Sequence, residues 1–333
     1  MRILIASLVL CALVATPTPV PSADPVVWKV SLWGKRRAFT EHVEKLAKLV
    51  SARTGGSFRI ELYYGGLSPS RQNLDGIAAG KFEMAQFCSG YHPEKNQVLT
   101  VLELPFLGVD SLEQARAASF AVYAHPMARA EMAQWNAHLL MPTPLPQYNL
   151  VGRGEPPVSM DWFRGKKIRA SGGMAEAFRT FAADTVSLTA TETRENMQTG
   201  NVEAVAFAQH AHFSFDTISL AEWWTSNLNP GTLECPVVVN AAAFDALSDE
   251  HRSALEGAVM PAMDYYIENY RDIINKWKEV IEVFDIGVVR LDPSEIGRMR
   301  DLAATPLHRK WVAEMTGRGL PAEELLGLVQ DTN

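Results

Sequence analysis

The feature that most limits what this chain can fold into is an alternation of strand and helix signals, set out twice. Residues 26–32 (VVWKVSL) are rich in β-branched side chains, lie between Pro25 and Gly34, and read as a strand. A helical pattern over 38–54 follows, with Phe39, Val43, Leu46, Leu49 and Val50 on one face and Gly55-Gly56 as its stop. FRIELYYG (58–65) alternates with period two. A helix capped near Ser70, a turn at Gly80 and a short strand over 83–87 complete a β-α-β-α-β series, which builds a parallel sheet with helices on its faces. After the Pro-rich run MPTPLPQ (141–147), a second series has strands near 148–151, 167–170, 186–188 and 202–206. Its helices cover 174–183 and a stretch ending at Gly200. Two series of similar grammar predict a two-lobed α/β protein. Pro and Gly punctuation at 141–154 and 229–236 marks the passages between lobes.

A long helical pattern runs from the N-cap Ser248 to about residue 283, with Asp249 and Glu250 in its first turn. Pro261 should kink or split it. A helix of that length exceeds what one small lobe needs, so it is expected to brace both. Shorter helices are expected at about 293–302 and 306–316, followed by a terminal one. The expected division is 24–149 plus about 238–275 for the first lobe, and 150–237 plus about 276–333 for the second.

Residues 1–23 read as a secretory signal: Arg2, then the apolar ILIASLVLCALVA, then a Pro-rich small-residue stretch with a cleavage site after Ala23. The apolar run is about half the length a membrane-spanning helix needs, and no later stretch is long enough. Export to the periplasm without a stable membrane anchor is expected. Only Cys88 and Cys235 follow the signal; an oxidising compartment permits a bridge, but the reading favours two buried free thiols. Lys and Arg total 31 against 38 Asp and Glu, a net charge of −7. A nucleic-acid partner, which calls for a basic excess, is excluded on that ground.

Nucleophile elbows, phosphate loops, dinucleotide fingerprints, zincin helices and paired metal cysteines are all missing from the sequence. His210-Ala211-His212 has metal-like spacing: on a strand both imidazoles share a face, with Glu203 or His92 as a third ligand. The plainer reading, polar side chains along a loop or cleft, is adopted, and no metal or cofactor is expected. GKKIRASGG (165–173) is the sharper signal. Its strand ends by presenting Arg169 ahead of a Ser-Gly-Gly turn, at the sheet edge where α/β proteins bind ligands. The planar guanidinium fork matches a carboxylate. Other strand-end candidates are Trp33 and the run Lys35-Arg36-Arg37, Gln86 and Tyr91, Phe106, and Trp223-Trp224.

Taken in order, the segments TGGSFRIELYYGG, LDGIAAGKFEMAQF, LELPFL (102–107), GKKIR, TGNVEAV (199–205), PVVVN (236–240) and FDALSDEHRSAL make the chain resemble the periplasmic solute-binding proteins of tripartite ATP-independent periplasmic (TRAP) transporters. The resemblance implies capture of a small organic acid between two lobes and its delivery to membrane permease subunits, without chemistry. It also implies that Arg169 forms the principal salt bridge to the ligand carboxylate, assisted by an upstream arginine, for which Arg153 is the nearest match. Where the family carries G-x-V-D-G-x-E, this chain reads GNVEAVAF. Glu203 and Ala204 replace the Asp and second Gly, and Phe207 stands where a polar contact is common. That departure points to an apolar or aromatic part of the ligand, with Gln209 or His210 supplying the missing hydrogen bond. Two readings stand beside this one: a periplasmic metal- or histidine-dependent hydrolase, and a binding protein of another transporter class.

Overall fold

The computed structural model describes residues 24–332, so the expected export signal lies outside the described residues. In the first lobe β1 (Val26–Leu32) turns Trp28, Val30 and Leu32 inward and pairs in parallel with β2 (Phe58–Tyr64) along its whole length. On its other side it pairs with β3 (Met84–Gln86), also in parallel. The connections are α1 (Glu41–Arg53) and α2 (Asn73–Ala78). α1 buries Val43, Leu46, Ala47 and Val50, and Glu41, Glu44 and Arg53 complement its dipole. The left-handed backbone at Gly55 and Gly56 ends it. α3 (Leu112–Ala124), α4 (Pro126–Ala133) and β4 (Ala137–Met141) then complete the outward run of this lobe.

Residues 142–148 cross to the second lobe. There β5 (Asn149–Gly152) lies antiparallel to β8 (Ala204–Phe207), which pairs in parallel with β6 (Lys167–Arg169). β7 (Asp184–Val186) flanks β6 and β9 (Trp223–Thr225) flanks β5. α5 (Gly172–Thr180), α6 (Ala190–Gln198) and α7 (Gln209–Ser214) follow their strands. Gly152 is needed because a Cβ there would sit 2.2 Å from the Trp223 ring. Residues 226–236 return to the first lobe, where β10 (Val237–Asn240) inserts antiparallel between β3 and β4. Both sheets are therefore mixed, because the strand that follows a crossing, β10 in one and β5 in the other, runs antiparallel to its neighbours.

After α8 (Ala241–Asp245) comes α9 (Asp249–Val283), 35 residues capped by Ser248, whose hydroxyl accepts from the His251 amide at 3.2 Å. Its first half packs Leu255, Ala258, Val259 and Met263 into the first-lobe core. Its second half places Tyr270, Trp277 and Ile281 in the core of the second lobe. The expected bracing helix is present, and Pro261 does not split it: packing on both sides outweighs one lost backbone bond. β11 (Gly287–Val289) joins β9 in the second sheet. The two short helices expected near 293–302 and 306–316 are one, α10 (Pro293–Gly317), which runs through Pro306. Met299 and Ala303 of α10 pack in the second lobe, whereas Trp311 and Met315 pack in the first. α11 (Ala322–Gln330) buries Leu325 and Val329 in the same first-lobe core, with α3 as neighbour. Residues 311–329 thus belong with the first lobe, unlike the expected division, because the apolar stripe of α11 finds its partner there.

The free-thiol expectation is corrected, and the histidine pair is placed. Cys88 and Cys235 form a disulfide across 147 residues. The antiparallel pairing of β3 with β10, continued by the bond from the Phe87 amide to the Pro236 carbonyl, sets the two side by side. His210 and His212 lie on α7 rather than on a strand, so at about 100° per residue they diverge.

Candidate ligand-binding chamber

The carboxyl ends of β1 and β3 in one lobe face those of β6 and β8 in the other, and aromatic side chains fill the seam. Trp33, Phe39, Tyr91 and Tyr148 come from the first lobe; Phe207, His210 and Phe215 come from the second; the Cys88–Cys235 bridge lies beside them. Trp33 stacks on Phe215 at 6.2 Å and 14°, and Phe39 on His210 at 6.1 Å and 16°. The cavity among these rings is about 20 Å³, the room of roughly one water.

Arg169 stands one layer behind this wall and is fully buried. The twist of β6 aims it at the seam, where Nε and Nη2 donate to the Leu188 carbonyl at 3.0 and 2.8 Å. Nη1 donates to the Ala206 carbonyl at 2.9 Å, and the guanidinium lies 4.3 Å from the Phe207 ring centre. Nη2 also reaches the Tyr91 hydroxyl at 3.4 Å. That hydroxyl accepts from the Ala190 amide at 3.1 Å as well, which leaves its own proton to donate. Among the described residues no carboxylate lies within 4 Å of Arg169.

A second buried guanidinium belongs to Arg37, just past the end of β1. It is 7% exposed and lies 4.3 Å over Trp33, 4.6 Å over Phe39 and 5.2 Å over Phe215. Nη1 donates to the Trp33 and Lys35 carbonyls at 2.9 and 2.8 Å, while Nε and Nη2 have no hydrogen-bond partner among the described residues. Burial lowers this guanidinium to about 10, so it is charged at neutral pH. The histidines are neutral there. Burial holds His210 well below its usual range and His212 down to about 3. His210 Nδ1 is engaged by the Tyr270 hydroxyl, and His212 by Thr217 and the Asn149 carbonyl. Among the described residues no Asp or Glu lines the chamber. The result is a cationic, aromatic pocket inside a protein of net charge −7, an arrangement that is costly unless an anion joins it.

Of the residues selected from the sequence, Arg169, Tyr91, Phe207, His210 and Trp33 come together here. Gln86 is buried beneath, donating to the Phe39 carbonyl at 3.2 Å and to Thr143 at 2.8 Å. Gln209, Phe106 and Trp224 instead line a separate groove of about 390 Å³. Arg153 is solvent-exposed at the lobe edge. Glu203 pairs with Lys166 at 3.0 Å. Among the described residues no group of three or more His, Cys, Asp and Glu is placed to hold a metal ion. Arg37 was legible only as part of a basic run after the first strand; its neighbour Arg36 points outward to Glu44 at 2.6 Å.

A wider groove of about 510 Å³ opens beyond Tyr91 between α5, α10 and residues 90–105. It is a solvent-facing cleft, and neither buried guanidinium lines it. Among the described residues no helix is long and apolar enough to cross a membrane.

A comparison with curated proteins gives no match. Among solved structures, the chain is similar to a marine metagenome TRAP solute-binding protein specific for aromatic acid ligands, in complex with 3-hydroxybenzoate (17% identity, 93% of this chain and 98% of that one, TM-score 0.83). It is similar to a TRAP solute-binding protein of Rhodoferax ferrireducens with copurified benzoate (15%, 92% and 97%, TM-score 0.83). It is also similar to a Bordetella pertussis extracytoplasmic solute receptor binding pyroglutamic acid (17%, 92% and 99%, TM-score 0.80). At these identities the likeness establishes the two-lobed fold. The profile of bacterial extracellular solute-binding protein, family 7, matches residues 30–314. This is a family of receptors rather than enzymes, which sets aside the hydrolase reading. The chain belongs to that family, the solute-binding proteins of TRAP transporters.

Proposed function

We propose that this protein captures a small organic acid between its lobes outside the cytoplasm and hands it to the membrane permease subunits of a TRAP transporter. One observation carries the reading: two buried guanidiniums, Arg37 and Arg169, flank an aromatic seam and have no acidic partner among the described residues. Opening the lobes draws Tyr91 away from Arg169 and frees the outer edge of that guanidinium. A carboxylate entering there accepts a hydrogen bond from the Tyr91 hydroxyl and pairs with the charge of Arg169 at once, and excluding water strengthens both interactions. Aromatic walls favour a flat or ring-bearing acid. Relatives of the same fold whose ligands are 3-hydroxybenzoate and benzoate support that preference. The reading of residues 1–23 as an export signal supports a periplasmic location.

A thermal-shift screen of the mature chain against carboxylic acids tests the reading, since a ligand that binds only the folded state raises the melting temperature. Benzoate and related acids are expected to raise it, whereas benzamide, the neutral counterpart, is not. Equal shifts with benzoate and benzamide, or none with any acid, overturn it.

A further inference from the structure

The Nε–Nη2 edge of Arg37 is a pair of parallel N–H donors, the geometry a carboxylate accepts in two bonds. It is held rather than free. Nη1 is pinned by the Trp33 and Lys35 carbonyls, and the guanidinium plane rests on three rings. The turn that brings it back over Trp33 needs Gly34 (φ +75°), where a Cβ would stand 3.0 Å from Arg37 Nη1. Trp33 Nε1, also buried, has no partner either among the described residues. A buried charge with its fork unmet is costly as a purely structural plug. Arg169 is different. Its Nε–Nη2 edge is spent on the Leu188 carbonyl, and only its outer end is open to exchange. The two guanidiniums come from opposite lobes and are linked through the Phe207–Phe215 ring pair, 6.0 Å apart: Arg169 lies over Phe207 and Arg37 over Phe215.

We infer that Arg37 is a second anion-recognising side chain and that the ligand is an aromatic diacid, one carboxylate at Arg169 and Tyr91, the other at the Arg37 fork. This rests on the acid-capture reading above and adds to it the number of charges on the ligand. Arg37 then completes the site from the first lobe when the lobes shut, so only a ligand with both acidic groups draws on both halves.

Calorimetry with benzoate, isophthalate and terephthalate, on the wild type, Arg37→Gln, Arg37→Lys and Arg169→Gln, tests it. The wild type is expected to bind at least one of the two diacids about tenfold or more tighter than benzoate. Arg37→Gln is expected to lose that preference, its affinity falling at least about tenfold more for the preferred diacid than for benzoate, and Arg37→Lys to regain only part of it. Arg169→Gln is expected to weaken all three. Circular dichroism confirms the fold of each variant, and the wild-type preference is read without any substitution. Wild-type protein that binds benzoate as tightly as both diacids overturns the inference and leaves acid capture standing. So does an Arg37→Gln protein weakened equally toward benzoate and the diacids. Failure of the wild type to bind any of the three overturns the inference; if the wider acid screen also fails, the capture reading falls with it.

Discussion

The Tyr91 hydroxyl of the first lobe accepts a hydrogen bond at 3.1 Å from the amide of Ala190, the first residue of α6 in the second lobe. It is a direct polar tie across the seam, and it lies where the Arg169 guanidinium also converges. Tyr91→Phe removes that tie and the proton offered to a ligand while keeping the ring against Trp33. Its expected effect is about a tenfold loss in acid affinity by calorimetry, with folding stability changed by no more than about 1.5 kcal/mol.

Arg169→Ala and Arg169→Lys are both expected to weaken acid binding about a hundredfold or more, the lysine because one ammonium cannot bond the Leu188 and Ala206 carbonyls and still meet the ligand. Both also leave the Leu188 and Ala206 carbonyls short of donors. Denaturant unfolding should therefore show a loss of about 2–4 kcal/mol for the alanine variant. An unchanged affinity in folded Arg169→Ala would remove this residue from the site.

The Cys88–Cys235 bridge closes a loop of 147 residues and joins the end of β3 to the returning passage 226–236. Reduction, or the double change Cys88→Ala with Cys235→Ala, is expected to lower stability by about 2–4 kcal/mol. Urea unfolding with and without reductant measures it, and coincident curves would contradict it.

Glu103 and Glu234, buried beneath that passage, are both pushed up to about 7 by burial; Glu131 is raised to about 7 for the same reason. In the unfolded chain they lose their protons near 4.5, so the folded state holds more protons between these values. Their contribution is fully present below about 4.5 and is lost as pH rises through about 7. The buried histidines act in the opposite sense. His42 and His212 are lowered to about 3 and His210 well below its usual value, so stability falls as pH drops below about 6.5, where the unfolded chain gains their protons. Melting temperature is therefore expected to rise as pH falls from 8 to about 6.5, to level off while the two sets offset each other, and to fall below about 4.5. Glu103→Gln should flatten the upper limb, and a melting temperature that climbs steadily to pH 8 would refute this balance.

Local patterns carried much of the fold. β1, β2, α1 and the Ser248-capped α9 lie where periodicity and caps put them, because each is set by residues within a few turns of itself. β10 between β3 and β4, and the bridge it brings about, depend on pairing between residues some 150 positions apart, which leaves no local mark. A shared metal at the α7 histidines would have needed a strand there, and the adopted reading was a loop or cleft. The chain instead turns at Ala208, whose backbone is extended, and starts a helix. Arg169 was found because it ends a strand ahead of a glycine turn. Arg37 was not separated from Arg36 because burial alone distinguishes them, and it is the other lobe, through Phe215, that covers Arg37. Arg153 looked suitable by proximity in sequence; the edge position of the loop after β5 leaves it in water.

The chain passes between the lobes four times, through 142–148, 226–236, α9 and α10. Cutting any one of these leaves three covalent links, so a protease nick in an exposed turn cannot set either half adrift. The same multiplicity forbids sliding or pulling apart and leaves rotation about a shared axis as the soft motion. A receptor built this way can open repeatedly in a compartment without ATP-driven refolding, and its halves never need to find each other again.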